Sequence, residues 1–221
     1  MTVAIGASIV GLSLISLLLA LVLLGRFRRQ RRPWHLYWGA GILLVAATLA
    51  QEAAFCLGVW SEPLVRAYVV LVAVLVGVLS LGTAELSLSG RWRSAWFVFV
   101  GAASVACAVV GGLTPVPSSV LFHGVVWSGV PTNDVLVSSV VTFPSAALLM
   151  VSSAYGAVRE RRPNLLFVTV GTGVLAAAGG LYIASFPAAL LYTEFVGVVL
   201  LFLGFVRVLD RRASVLAPTA A

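Results

Sequence analysis

Apolar residues run along this chain in long unbroken stretches, without the alternation of a half-buried strand or the 3.6-residue stripe of an amphipathic helix. Seven stretches reach about 18 residues or more, and roughly 20 residues of helix cross the hydrocarbon core of a bilayer. They lie near residues 3–24, 36–58, 66–87, 95–113, 135–157, 165–184 and 189–208. Three of the breaks between them are basic: Gly25 to Pro33 (GRFRRQRRP), Ser89 to Ser94 (SGRWRS) and Arg159 to Asn164 (RERRPN). The alternate breaks, Trp60 to Pro63, Thr114 to Asp134 and Ser185 to Pro187, hold almost no basic residue. This pattern predicts an all-α, polytopic membrane protein. Its single domain, residues 1–212, is a bundle of seven transmembrane helices, followed by a short cytoplasmic tail at 213–221.

Composition narrows the choice further. With 61% apolar and 10% charged residues among 221, so small a chain has too much surface to hide its apolar side chains from water, and a soluble globule is excluded. The 14 basic residues, all arginine, exceed the 7 acidic ones and give a net charge of +7. In a soluble protein that excess would point to nucleic acid. Here the predicted helices sort it by side: Arg26, 28, 29, 31, 32, 91, 93, 159, 161, 162, 207, 211 and 212 fall on one face, and only Arg66 on the other. Loops rich in arginine stay in the cytoplasm, which predicts a multi-pass protein of the cell (cytoplasmic) membrane with its amino terminus outside and its carboxyl terminus inside. The first stretch is retained as an anchor, since Met1 to Ser8 carries no positive charge and the arginines follow it. Arg26, Arg28, Arg29, Arg31 and Arg32 are placed to meet anionic lipid headgroups. Nucleic acid is not an expected partner; a homo-oligomer or a separate signalling partner is left open.

One internal repeat is visible. Arg31-Arg32-Pro33 recurs 130 residues later as Arg161-Arg162-Pro163, followed by matches at Leu36/Leu166, Gly41/Gly171, Ala46/Ala176, Ala47/Ala177 and Ala54/Ala184. Helices one to three would then correspond to five to seven, with the fourth as a linker that keeps the halves parallel. Chance similarity between helices rich in Ala, Leu, Gly and Val is the competing explanation. The sixth helix, with Gly171, Gly173, Gly179 and Gly180, has the small side chains of a tightly packed central element. Trp34, Trp38, Trp60, Trp92, Trp96 and Trp127 all fall near predicted helix ends, the place of interfacial anchors. The loop from Thr114 to Asp134 is long and apolar enough to fold over the helix ends as a lid.

Ionisable residues inside a span are costly and mark candidate sites. Glu52 and Glu194 fall in the outer half of the bundle, together with Gln51, Arg66, Tyr68, Tyr182 and Tyr192. These seven residues form the candidate ligand-binding group, suited to a small polar or cationic molecule. The structural alternative is an ion pair from Arg66 to Glu52 that fastens the second helix to the third. Glu85 belongs to a surface pair with Arg91 or Arg93. No metal site is expected, because His35 and His123 lie on opposite sides, and no phosphate-binding loop or other cofactor motif is present. Cys56 and Cys107 are expected as buried free thiols, with a disulfide as the alternative. No catalytic motif marks an enzyme.

Seven helices with an outside amino terminus resemble the plan of the microbial rhodopsins, whose seventh helix carries a retinal-binding lysine. Residues 189–208 contain none, so a covalent retinal pigment is excluded. The three-plus-one-plus-three plan is similar to vitamin and sugar transporters built from two triple-helix bundles, though their proline–glutamine pairs are missing. The helix count also resembles the sensory regions that precede kinase domains in some bacterial receptors. Two functions follow as expectations. One is a sensory or binding protein for a small molecule or lipid, with an outer polar pocket; the alternative is a small-solute transporter of two triple-helix halves.

Overall fold

The computed structural model describes residues 2–116, 132–159, 161, 163–183, 193 and 195–204, with the side chains of 2–5 and 176–183 outside that description. Every regular element among the described residues is α-helical. In chain order they are α1 (Thr2–Gln30), α2 (Pro33–Cys56), α3 (Glu62–Ser87), α4 (Gly90–Leu113), α5 (Thr132–Arg159), α6 (Asn164–Ile183) and α7 (Phe195–Gly204). Five of them, α1 to α5, are long and apolar enough to cross a membrane, which is the character of a membrane-embedded protein. The described apolar stretches of α6 and α7 are shorter, Asn164–Leu175 and Phe195–Gly204.

The basic breaks are tighter than the sequence pattern implied. α1 does not stop near residue 24 but continues to Gln30, so Arg26, Arg28 and Arg29 stand on its last turns, where the negative end of the helix dipole favours cations. Arg31 then turns the chain with φ of +53°, and its N–H donates to the Phe27 carbonyl at 2.8 Å. That is a left-handed helix cap built on arginine where glycine is usual. Pro33 opens α2 at its first turn, where a missing N–H costs nothing. The second basic break likewise shrinks to Leu88 and Ser89, and Arg91 and Arg93 sit in the first turn of α4.

α1 packs on α2, α2 on α3, and α3 on both α4 and α5; α5 also touches α4 and carries α6. The largest core joins Leu19, Ala20 and Leu23 of α1, Trp34, Trp38 and Ile42 of α2, Leu79 of α3, Leu149 of α5, Val168 of α6 and Leu201 of α7. All lie toward the end of the bundle that holds the arginine turns. Val198 of α7 packs with Ile9 and Leu12 of α1 and Val45, Leu49 and Ala53 of α2.

Close crossings hold this end together, since small residues bring helices into contact where no hydrophobic effect drives them. A side chain on Gly82 would collide with the indole ring of Trp38, and a Cβ on Gly41 would stand 3.1 Å from the Leu79 amide nitrogen. Trp34 and Trp38 are therefore buried core residues, not interfacial anchors, while Trp92 stays exposed. Pro144 interrupts the hydrogen-bond ladder inside α5. Leu14, Leu18 and Leu21 of α1 and Val98, Val105 and Val109 of α4 are exposed, the surface a helix presents to lipid.

Candidate functional site

At the end opposite the arginine turns, α2 closes with Cys56 and α3 opens at Glu62. Glu52 lies one turn inside α2, within a membrane-length stretch, and its Oε1 accepts a hydrogen bond from the Tyr68 hydroxyl at 2.7 Å. Tyr68 is 3% exposed. Its ring meets Phe55 edge-on at 5.5 Å, and Phe55 stacks on Trp60 at 4.5 Å. The phenol is thus fixed by packing, and it fixes the carboxylate. Next to Glu52, the Gln51 Oε1 is buried with no hydrogen-bond partner among the described residues. A buried acceptor left in that state costs about 1–3 kcal/mol.

Arg66 does not meet Glu52. Its guanidinium pairs with Glu62, four residues earlier on α3, and donates to the Gly112 carbonyl at the end of α4. The second bond satisfies one of the carbonyls that every helix leaves unmade at its C-terminus. Arg66 therefore ties the first turn of α3 to the last turn of α4 instead of α2 to α3. Tyr182 falls on α6, but its side chain, together with Tyr192 and Glu194, lies outside the described residues. Of the seven candidates, the structure brings Glu52 and Tyr68 into contact, and Gln51 is the residue before Glu52 on α2.

Several polar residues that the sequence did not single out are buried. Asp134, 8% exposed, accepts a hydrogen bond from the Thr114 hydroxyl at 3.0 Å. That bond closes the two ends of the long α4–α5 connection; residues 117–131, the expected lid, lie outside the described residues. A crevice lined by Val70, Ala73, Cys107, Asp134 and Ser138 adjoins it, with about 10 Å³ open to the centre of a water-sized sphere, which is room for one water. The signal for Asp134 was its place in the first turn of a helix, where an acidic residue offsets the dipole. His35, expected at the surface, is 1% exposed and stacks on Trp34 at 3.5 Å.

Between α3, α4 and α5, Ser80 joins Ser145 at 3.2 Å and accepts from the Trp96 indole N–H at 3.0 Å. Glu85 pairs with Arg93 at 3.1 Å. Cys56 is exposed, which its sequence position did not suggest, and Cys107 is buried; both are free thiols. Among the described residues no three His, Cys, Asp or Glu side chains gather as metal ligands.

No known protein family, curated protein or solved structure matches this chain. The chemistry the site offers is that of an acceptor, a carboxylate oriented by a phenol.

Proposed function

We propose that this chain is a seven-span protein of a cytoplasmic-type membrane, amino terminus outside and carboxyl terminus in the cytoplasm. We further propose that it binds a small polar or cationic molecule, free or as a lipid headgroup, at Glu52. The orientation is supported by arginine placement: among the described residues, Arg26 to Arg32, Arg91, Arg93, Arg159 and Arg161 stand at one end and Arg66 at the other. Arg28, Arg29, Arg31 and Arg32 are exposed, as contact with anionic headgroups requires.

The observation that carries the binding role is the Glu52–Tyr68 hydrogen bond inside a membrane span. A carboxylate there is expensive and finds its use in holding a charge or a donor. A ligand ammonium group would meet its opposite charge at Glu52. In this reading the protein senses or sequesters its ligand and passes any signal to a separate partner.

The test is native mass spectrometry of the protein purified in lipid, with a thermal-shift series against tetramethylammonium and spermidine. Wild type should carry a bound mass or gain stability with one of these cations, and Glu52→Gln should lose it while unfolding at the wild-type temperature. Equal behaviour of the two proteins would remove Glu52 from any binding role.

A further inference from the structure

Two arginines, Arg31 and Arg161, have φ of 53° and 52°, the only non-glycine residues with positive φ among those described. Such a backbone is uncommon outside glycine and asparagine. They stand 130 positions apart, and each precedes an Arg-Pro pair and a new helix. The same spacing governs contacts. In the α1–α2 pair, a Cβ on Gly39 would lie 3.3 Å from Cβ of Leu23; in the α5–α6 pair, Thr169 meets Ser153 hydroxyl to hydroxyl at 2.8 Å. Adding 130 to both 23 and 39 gives 153 and 169.

The second interface of each half repeats as well. Gly41 approaches Leu79 where Gly171 approaches Leu201, and Trp38 fills the notch of Gly82 where Val168 fills that of Gly204. Here α2 maps onto α6 with the shift of 130, while α3 maps onto α7 with a shift of 122 (79 to 201, 82 to 204). One shift, set by the first contact, accounts for the second. Chance similarity of composition does not reproduce registers. The central core then contains both members of three equivalent pairs, Leu19 and Leu149, Trp38 and Val168, Leu79 and Leu201.

We infer that α1–α3 and α5–α7 are two copies of one triple-helix unit, joined in parallel by α4. We infer further that they move against each other as bodies to carry the molecule held at Glu52 across the membrane. The transport step rests on the binding role proposed for Glu52. Within a half, the second and third helices meet at the backbone: a Cβ on Gly171 would lie 2.9 Å from the Gly197 carbonyl oxygen, and one on Gly204 would lie 3.1 Å from the Val168 nitrogen. Between α3 and α5 the described hydrogen bonds are side chain to side chain, Ser80 to Ser145 and Ser87 to Ser152, each at 3.2 Å. Packed helices slide past one another in small shear motions, and contacts set by side chains, as here, give them room to do so. The shared leucines lie between the arginine-rich end and Glu52, which is ten residues beyond Ile42 on α2, about 15 Å at the helical rise. They are a gate on that side, and a ligand from Glu52 leaves there only when the halves part, as in carriers whose two repeats rock about a central site.

The experiment is double electron–electron resonance on the full chain in lipid nanodiscs, with exposed Cys56 replaced by serine and buried Cys107 left in place. Spin labels at Arg29→Cys and Arg159→Cys report between the halves; labels at Arg29→Cys and Leu86→Cys report within one. The first pair should give two resolved distance populations and the second a single one, and Glu52→Gln should change the ratio of the two populations about threefold or more. A single distribution for the first pair, as narrow as the second, overturns the proposal. Two populations whose ratio ignores Glu52→Gln overturn the carrier role and leave the paired bodies; the binding role of Glu52 is decided separately by the thermal-shift series.

Discussion

At the arginine-rich end six helices share one apolar core, whereas toward the other end contacts break into local groups. Phe55, Val65, Tyr68 and Val69 form one between α2 and α3, and Ala73, Cys107 and Val141 form another among α3, α4 and α5. The first region is held by shape, with rings and leucines seated in glycine notches, in addition to polar bonds such as Ser153 to Thr169 and Glu85 to Arg93. The second is held by polar bonds that join neighbouring helices in pairs: Tyr68 to Glu52, Arg66 to Gly112, Thr114 to Asp134. In lipid, apolar side chains gain little by leaving the solvent, so close fit is what makes a core. Polar bonds of the second kind are few and can be traded for bonds to a ligand.

The strongest way to break this contrast is at the crossing of α2 and α3. Gly82→Val drives a branched side chain into the Trp38 ring and should cost about 3 kcal/mol, as overpacking of a filled site does; thermal unfolding in detergent would read it. Tyr68→Phe comes next. Removing a hydrogen bond to a carboxylate costs about 1.5–3 kcal/mol, and the loss should fall to about 0.5–1.5 kcal/mol when Glu52 is already Gln, whose neutral amide oxygen still accepts; a double-mutant cycle on the same unfolding assay measures the difference. Ser80→Ala should cost about 0.6 kcal/mol, typical of an interhelical hydroxyl bond in a membrane. It should also shift the emission of Trp96, whose N–H loses its acceptor. Smallest is Arg66→Gln. Its pair with Glu62 is 29% and 47% exposed, so a change below about 1 kcal/mol is expected. A larger loss for Arg66→Gln than for Gly82→Val would show that polar junctions, and not close fit, hold the bundle.

How far the fold could be read in advance differs by feature. The apolar stretches announced the helices, and Pro33 and Pro63 their starts. The arginines that end α1 have the composition of a turn, because a basic run looks like a loop even where a helix C-terminus welcomes it. The alternative of an Arg66–Glu52 pair rests on proximity along the chain across the short turn. Residues 66 and 68 differ by about 200° around a helix axis, so once Tyr68 faces Glu52, Arg66 must face elsewhere. His35 looked superficial from its charged neighbours, yet the Trp34 ring covers it. The repeat is legible from Arg-Arg-Pro through the helix that follows but not in the third helix, which is displaced by eight residues relative to the first two, so no single offset aligns all three.

The position of Glu52 also has an electrical meaning. It lies four residues from the end of its span at Cys56, about 6 Å along a helix and so roughly a fifth of the way through a hydrocarbon core of about 30 Å. A monovalent cation seated there from the near side has crossed a similar fraction of the membrane field. At about 2.3 kcal/mol per charge per 100 mV, that amounts to about 0.5 kcal/mol, so an energised membrane would change occupancy about twofold with no change in the protein.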